Sequence, residues 1–418
     1  MTTYNDTRES EQLRYLKVDI ASFIQRYESK PMTSGRRTLF LFPGGMGSQL
    51  LRATTPYQDN GTPQTFQYDN YWLSPLTFLG GALFLGMHRH GNGFHDDGDR
   101  IVIPNGAVNL FGLTPYTRFT QWCELNDLDW FIFGWDWRRR LEDSVSFFFT
   151  QFVPLLRSMV QQQCGADPMQ KFILMGHSFG GMVVKLMLHQ NDPVLANMTQ
   201  AVTVASPFYG YDGQIHRWFE GEPLLNQIGP IDVTAQMIKV ISSLPGGYVL
   251  PYLDYLTFLN NPDLQTDPDY PLNQYPSRNV SNATQVVDPF NPGPNHYPAH
   301  NDTGFDLNEL HHALTIYRTI AAAPPAAYAS KFFNLRGIQS PTGSTTGSIT
   351  WGALTGPNNP HASPITSGPG DPGDDTLPAW SARLVTLNSN QIVPVKGNID
   401  HMFIMEDNLT QAAIAQVL

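Results

Sequence analysis

Cysteine is scarce in this chain, since only Cys123 and Cys164 occur among its 418 residues. Two cysteines exclude a disulfide framework; they allow one bridge, but two free thiols are the expected state. Long apolar runs are also missing: no stretch approaches the roughly 18–20 uninterrupted apolar residues of a membrane span. Residues 1–30 are polar and charged, without an apolar run of signal-peptide length. We therefore expect a cytoplasmic protein, or a secreted one if a leader has been removed.

Charged residues are few, at 15% of the chain, and the acidic excess gives a net charge of −11. This balance gives no indication of a nucleic-acid partner, which would need a basic surface. Hydrophobic residues make up 41% and aromatic residues 12% of the chain. Such a composition can bury a large core, and many aromatics with few charges suit a protein with an apolar groove.

The most informative segment is 171–182, which contains a Gly-His-Ser-Phe-Gly motif. A short apolar run, a tight turn and a helix-compatible sequence follow one another, with Ser178 at the apex of the turn. Gly176 and Gly180 leave room for the strand and the helix to pass closely. Backbone N–H groups at a helix N-terminus favour developing negative charge. The segment therefore predicts a nucleophilic serine rather than an ordinary Gly-Ser turn.

Apolar strands alternate with helices on both sides of this turn. The expected strands lie at 37–43, 129–135, 172–175, 201–205, 331–337 and 383–387, and the expected helices include 10–28, 141–163 and a closing helix from 407. Alternation of this kind predicts an α/β fold, in which a mostly parallel sheet has helices on both faces.

Two segments interrupt the alternation. Residues 52–115 lack clear periodicity and are interpreted as a lid excursion, and residues 208–326 mix short apolar segments with Pro, Asn and Asp and are interpreted as a cap insertion. The predicted core comprises residues 35–207 and 327–418, preceded by an N-terminal helical extension at 1–34. Such insertions commonly enclose substrate and gate access to it.

A serine hydroxyl needs a base to remove its proton and an acid to orient that base. After a strand–serine–helix turn of this kind, the expected chain order is serine, acid, histidine. Of the twelve histidines, only His401 lies both beyond an acidic turn and beside the last core helix. That turn contains Asp374 and Asp375, and the residues alone leave open which carboxylate faces the imidazole; Asp371 is a poorer third choice.

Two backbone N–H groups usually stabilise the oxyanion that forms when the serine attacks a carbonyl. The N–H of Phe179, directly after the serine, is the first expected donor. The glycine-rich segment 43–47 is suited to supply the second, because glycines let the backbone approach the substrate closely. The same segment resembles a phosphate cradle only superficially, since no Lys-Ser/Thr pair follows it.

Histidine and aspartate cluster within one short part of the predicted lid: His88, His90, His95, Asp96, Asp97 and Asp99. Such a run can hold zinc or calcium. A hydrated loop is the simpler interpretation, and the predicted serine chemistry needs neither metal nor cofactor. We therefore predict no metal and no cofactor.

Together these landmarks resemble the lecithin:cholesterol acyltransferase-like branch of the α/β-hydrolases, which includes lysosomal phospholipase A2. Similar segments occur in the family's order from about residue 37 to the end of the chain, at 42–50, 71–73, 135–138, 176–181, 205–207, 373–376 and 399–402. The resemblance implies Asp374 as the triad acid and Gly45 as the second oxyanion donor. It also implies Trp72 and Met46 as substrate contacts.

The chain departs from the family at two of these places. No cysteine lies near Trp72, so the lid disulfide of animal members cannot form, and Phe179 replaces a more usual methionine. The cap matches poorly, and the cap determines which acyl chain and acceptor fit.

The expected function is a serine-dependent carboxylic ester hydrolase of lipase, phospholipase or esterase type, working through an acyl-enzyme with Ser178, Asp374 and His401 as its triad. One alternative is an acyltransferase that moves the acyl group of a lipid ester to an alcohol. Another is a non-catalytic binding protein on a hydrolase fold. Hydrolysis is favoured because water is always present, whereas an acceptor site must be built. The expected partner is an ester with an apolar acyl chain, met in transient contact with a membrane or lipid interface.

Overall fold

A parallel sheet of six strands, flanked by helices, forms the centre of the fold. The computed structural model describes residues 3–30, 35–60, 64–74, 77, 79–90, 93–109, 114–210, 212–222, 225–251, 305–338, 344–345, 349–351, 364–366, 371–397 and 399–418.

The strands are, in chain order, β1 (Arg37–Phe42), β2 (Ser48–Ala53), β3 (Tyr68–Trp72), β4 (Met87–His90), β5 (Gly93–Asp96), β6 (Val102–Ala107), β7 (Leu128–Ile132), β8 (Phe172–His177), β9 (Met198–Val204), β10 (Gln227–Ile228), β11 (Ile231–Asp232), β12 (Phe332–Ile338), β13 (Ser344–Thr345), β14 (Ile349–Trp351), β15 (Pro364–Thr366), β16 (Asp371–Pro372) and β17 (Ile392–Lys396). The helices are α1 (Tyr4–Glu28), α2 (Thr117–Leu125), α3 (Leu141–Phe147), α4 (Val153–Cys164), α5 (Phe179–Leu188), α6 (Asp212–Glu220), α7 (Thr234–Ser242), α8 (Leu307–Ala321), α9 (Ala326–Ala329) and α10 (Asn408–Val417).

The central sheet has the strand order β17-β12-β9-β8-β1-β7. Strand β1 pairs in parallel with both β7 and β8, and β12 pairs in parallel with β17. Parallel neighbours need crossover connections; helix α2 lies in the one from β1 to β7, and helix α5 in the one from β8 to β9. The predicted α/β class is therefore confirmed.

The chain forms two compact units, within each of which most residue contacts are made: residues 1–203 with Leu418, and residues 204–417. In the first unit, β1 and β8 are almost completely buried. Both strands are near-continuous apolar runs, as expected for strands covered on both faces. Edge-to-face contacts join Phe40 of β1 to Phe148, Phe152 and Phe172. The helix predicted at 141–163 forms as α3 and α4, joined by a π-helical segment.

The N-terminal helix begins earlier than the predicted residue 10. Thr3 is its N-cap, and its hydroxyl accepts from the N–H of Asp6 while the Asp6 carboxylate accepts from the N–H of Thr3. This reciprocal capping box satisfies two backbone donors at the helix start. The polar residues that follow hid the first turns of α1 from a search for apolar periodicity.

The predicted lid excursion contains more regular structure than its sequence indicates. Strands β2, β3 and β6 form a small antiparallel sheet in the order β3-β2-β6, and β4 and β5 form a separate antiparallel pair. These strands are four to six residues long, too short for alternation to stand out. Side chains from this region and from α1 share a buried cluster that includes Tyr4, Leu51 and Ile103.

In the second unit, the strand predicted at 383–387 is wrong. The N–H of Leu384 donates to the Asn334 side-chain oxygen, and that of Val385 donates to the Tyr209 hydroxyl. Side chains thus satisfy backbone groups that a strand would pair with a neighbouring strand. The strand beside β12 is instead β17. Of the predicted cap, residues 252–304 lie outside the described residues, and the proposed domain boundaries stay predictions.

No helix among the described residues is both long enough and apolar enough to cross a membrane. Cys123 and Cys164 are free thiols.

Candidate active site

Ser178 lies between β8 and α5, at the apex of a very tight turn. Its backbone has φ 53° and ψ −126°, a left-handed conformation that non-glycine residues seldom adopt. This backbone turns the chain directly from the strand into the helix, so that Ser178 becomes the N-cap of α5. Its side chain is half-buried. The geometry is that of a nucleophile elbow.

The two glycines that flank Ser178 are required by close backbone approach. A Cβ on Gly176 would lie 2.4 Å from the Cα of Gly181, and a Cβ on Gly180 would lie 2.1 Å from the carbonyl oxygen of Phe42. Both distances are far shorter than a van der Waals contact, so neither position has room for a side chain. The sequence prediction that this turn needs small residues beside the serine is confirmed.

The loop after β1 packs directly against the elbow. A Cβ on Gly44 would lie 3.0 Å from Cβ of Ser178, and a Cβ on Gly45 would lie 3.4 Å from the Phe179 ring. The N–H of Gly44 donates to the Tyr116 hydroxyl over 3.0 Å. Across the described residues, the N–H groups of Gly45 and Phe179 have no hydrogen-bond acceptor. Gly45 is exposed.

Tyr116 makes a contact at this turn that the sequence did not indicate. Its buried hydroxyl accepts from Gly44 and lies 2.9 Å from Nδ1 of His177, the residue before the serine. Tyr116 therefore joins the loop after β1 to the end of β8. No local pattern marks this tyrosine, because its partner His177 is 61 residues away in the chain.

Trp72 and Met46, the predicted substrate contacts, are joined to each other. The Trp72 indole N–H donates to the Met46 carbonyl oxygen over 2.7 Å. Trp72 is buried and lies edge-to-face with Trp137. Met46 is partly exposed and has φ 63°. In this structure Trp72 holds the loop; contact of either residue with substrate stays a prediction.

Trp135, in the Trp-Asp-Trp-Arg segment, fastens the same loop from another side. Its indole N–H donates to the Pro43 carbonyl oxygen over 2.9 Å, and its ring lies 5.1 Å from that of Phe179. Its backbone N–H donates to the Ser48 hydroxyl. The segment thus supports both sides of the glycine-rich loop, a role that its sequence alone does not indicate.

The rest of that segment forms a buried ionic network. Arg138 is fully buried and pairs with Asp136 over 2.8 Å and with Asp96 over 2.6 Å. Arg139 pairs with the same two carboxylates. The two guanidinium groups hold the pKa of Asp96 well below its usual range against the opposing effect of burial. Opposite charges with good geometry offset the cost of desolvation here, and losing one partner would expose that cost.

In the second unit, Asp374 and His401 form a hydrogen-bonded pair. Oδ2 of Asp374 lies 2.7 Å from Nδ1 of His401, and the N–H of His401 donates to the Asp374 carbonyl oxygen. Oδ1 of Asp374 accepts from the N–H of Leu377 over 2.8 Å. Asp374 is buried, whereas Asp375 is exposed and has φ 72°. The acidic turn therefore directs Asp374, and not Asp375, at the imidazole.

A buried lysine of helix α5 lies next to a partly buried histidine at the end of the helix. Nζ of Lys185 lies 2.9 Å from Nε2 of His189. Burial lowers the pKa of Lys185 to about 7. Burial and the neighbouring ammonium lower the pKa of His189 to about 4. Lys185 thus exchanges its proton near neutral pH, unlike an exposed lysine.

The histidine and aspartate run of the lid region is ordered, which corrects the expectation of a hydrated loop. Its residues form the β4–β5 pair and the turn after it. Within this run, His88, His95 and Asp99 place one ligand atom each within 4.8 Å of one another. These three residues are able to hold a metal.

Comparison with known proteins supports the fold. No family model matches the chain, and no curated protein matches it. A chain of the Tle4–Tli4 complex, known from its crystal structure, has a TM-score of 0.54 at 12% identity, covering 92% of this chain and 98% of that one. The siderophore hydrolase EstB from Aspergillus fumigatus has a TM-score of 0.26 at 14% identity, covering 92% of this chain and 90% of EstB. The first similarity shows a shared fold, and the second is too low to support an argument. The architecture is that of an α/β-hydrolase.

Proposed function

We propose that the protein is a serine-dependent carboxylic ester hydrolase that works through an acyl-enzyme. The main supporting observation is the strained elbow at Ser178, next to two backbone N–H groups, of Gly45 and Phe179, that lack acceptors in the described chain. A protein gains nothing in stability from a left-handed serine beside unpaired N–H groups. Both features are useful if an oxyanion binds there.

In the first step, Oγ of Ser178 attacks the ester carbonyl carbon while His401 takes the hydroxyl proton. The Nδ1 atom of His401 is bound to Asp374, which leaves Nε2 as the base. The Asp374 carboxylate keeps the imidazole oriented and stabilises the imidazolium that forms. Charge that develops on the carbonyl oxygen is stabilised by the N–H groups of Gly45 and Phe179.

The tetrahedral intermediate then collapses and the C–O bond to the alcohol breaks. His401 returns its proton to the departing oxygen, so a neutral alcohol leaves and the acyl group stays on Ser178. Water attacks this acyl-enzyme while His401 again takes a proton, and the second collapse releases the acid and restores the serine hydroxyl. Ser178 directly follows β8 and His401 follows β17. Asp374 packs near the carboxyl end of β12, since a Cβ on Gly337 would lie 2.8 Å from its Cβ. Sites of parallel α/β sheets lie at the carboxyl ends of strands.

We infer that the acyl group of the substrate is apolar. Met402 and Phe403, directly after His401, are exposed although both are large and hydrophobic. Leu79 and Phe84 of the predicted lid are also exposed. Exposed apolar side chains at such positions suit contact with an acyl chain or a lipid interface. The likeness to the lecithin:cholesterol acyltransferase-like branch, and with it transfer to an alcohol, stays a prediction.

Active-site labelling tests the proposal. A fluorophosphonate probe should label the protein once per chain, and Ser178→Ala should abolish labelling and lower the hydrolysis rate of a nitrophenyl ester by about 10³-fold or more. Ser158, an exposed serine of α4, provides the matched control, and Ser158→Ala should keep both signals. If Ser178→Ala keeps more than a tenth of the rate, the assignment of the nucleophile is wrong. If the wild type is never labelled, a binding role on this fold replaces the enzyme.

A further inference from the structure

Three ligand atoms converge on one face of the β4–β5 pair. Nε2 of His88 lies 3.5 Å, and Nδ1 of His95 lies 2.9 Å, from the same carboxylate oxygen of Asp99. In a tetrahedral zinc site with bonds of about 2.0–2.1 Å, neighbouring ligand atoms lie about 3.3 Å apart. The two observed separations lie on either side of that value.

The strand register explains how the two imidazoles meet. His88 of β4 is directly opposite His95 of β5, and Arg89 is opposite Phe94. Because side chains alternate between the faces of a strand, His88, His90 and His95 share one face and Arg89 lies on the other. The guanidinium of Arg89 lies over the Phe94 ring. The positive charge that would oppose a metal cation is thus turned away from the imidazoles.

Asp99 reaches this face because the chain reverses after β5. Gly98 and Asp99 both have left-handed backbones, with φ 63° and φ 53°. The carbonyl oxygen of Asp99 accepts from the N–H of Tyr57, which fixes the reversed segment to the neighbouring loop. Aspartate tolerates this conformation better than most residues.

Stacked rings fix the plane of the His95 imidazole. The Tyr4 ring lies 3.9 Å away at 17°, and the His90 ring lies 4.3 Å away at 25°. His95 is largely buried, with a side-chain exposure of 13%, whereas those of His88 and Asp99 are 46% and 49%. One ligand is therefore preorganised by packing, and the other two are accessible to an ion from solvent.

We propose that His88, His95 and Asp99 bind a zinc ion that joins β4, β5 and the turn at Asp99. Two imidazole nitrogens and one carboxylate oxygen form a ligand set that zinc prefers, and three protein ligands leave the fourth position for water. Calcium and magnesium need more oxygen ligands than the three residues supply. The ion stabilises the folded lid region, because an unfolded chain does not hold the three groups together.

Zinc stoichiometry tests the site directly. Tag-free protein is stripped with a chelator, dialysed into buffer with a known free zinc concentration, and measured for bound zinc and for its melting temperature. One zinc per chain and a higher melting temperature are expected. His88→Ala and Asp99→Asn should each weaken zinc binding by at least about tenfold. Asparagine also tolerates the left-handed backbone, so Asp99→Asn tests the carboxylate without disturbing the turn.

The exposed His311 of α8 is the matched control, and His311→Ala should bind zinc like the wild type. Without zinc, His88→Ala should have the melting temperature of the stripped wild type within about 2 °C, because His88 is exposed. Failure of the wild type to bind one zinc overturns the proposal. So does equal zinc binding by His88→Ala, Asp99→Asn and the wild type, which would place the ion elsewhere. The result is independent of Ser178 labelling.

Discussion

Replacing Tyr116 by phenylalanine removes one oxygen atom that binds the glycine-rich loop after β1. The Tyr116 hydroxyl is buried, accepts from the N–H of Gly44 over 3.0 Å and lies 2.9 Å from Nδ1 of His177. The aromatic ring would keep its packing in Tyr116→Phe. The Gly44 N–H, also in a buried residue, would lose its acceptor.

The size of the effect follows from the cost of an unpaired buried donor, about 1–3 kcal/mol. Unfolding free energy should fall by about that amount. In the proposed mechanism, part of the same energy fixes the loop that presents the adjacent Gly45 N–H to the oxyanion. If all of it acted on the transition state, kcat would fall between about 5-fold and about 150-fold. KM should change little, because the interaction with Gly45 strengthens only as charge develops.

The assay combines urea unfolding with nitrophenyl ester kinetics well below the melting temperature. Tyr248 is a matched control, because its buried hydroxyl accepts from the N–H of Asp306 and donates to the Ser242 carbonyl oxygen. Tyr248→Phe should lose a similar amount of unfolding free energy and keep kcat within about twofold, because the folded fraction of this variant has an intact glycine-rich loop. Equal kcat losses in the two variants, or a loss in KM alone for Tyr116→Phe, would refute the reasoning.

Three further predictions concern the acid, the elbow and the buried lysine. Asp374→Asn should lower kcat by about 10⁴-fold, whereas Asp375→Asn, at the exposed neighbour, should change kcat by no more than about threefold. Steady-state kinetics of the two variants tests this, and equal losses of kcat would contradict the assignment of Asp374 as the triad acid. Gly180→Ala should prevent folding, because its Cβ would lie 2.1 Å from a backbone oxygen. The control Gly35→Ala, whose Cβ would have nothing within 4 Å, should fold normally, as measured by circular dichroism. A folded Gly180→Ala protein would show that helix α5 does not approach the backbone after β1 this closely. Since the Lys185 pKa falls from 10.5 to about 7 on folding, the unfolded chain binds more protons between those values, so stability should rise with pH there. Relative to Lys185→Met, the wild type should gain up to about 1.4 kcal/mol per pH unit in urea unfolding at pH 7, 8 and 9. Parallel curves for the two proteins would show that folding does not lower the pKa of Lys185.

The sequence predicted those parts of the fold that local apolar runs determine. Strands β1 and β8 appear within a few residues of the predicted positions, because each is a near-continuous apolar run, and β12 does so although Asn334 and Arg336 interrupt its apolar residues. Segment 383–387 has the same local character, yet Asn334 and Tyr209 take its backbone donors. That outcome depends on tertiary contacts, which a local pattern does not contain.

The candidate site divides in the same way. The tight turn at Ser178 was predictable because it is a local motif whose glycines, Gly176 and Gly180, lie two residues to either side of the serine; the role of Ser178 as nucleophile stays a prediction. The choice between Asp374 and Asp375 was not, since it depends on the left-handed backbone at Asp375 and on the pairing of Asp374 with His401. The contacts of Tyr116 could not be predicted, because its partners Gly44 and His177 are distant from it in the chain.

Three aromatic side chains with polar tips hold the glycine-rich loop after β1, which carries the proposed oxyanion donor Gly45. Trp72, Tyr116 and Trp135 bind the backbone of Met46, Gly44 and Pro43 respectively. An aromatic ring buries a large apolar area while its N–H or O–H reaches a backbone group, so each anchor is rigid as well as polar. Trp72 is the last residue of β3 in the predicted lid. A displacement of β3 would therefore act on this loop through the hydrogen bond from Trp72 to Met46, the residue after Gly45, while Tyr116 and Trp135 hold the loop from elsewhere.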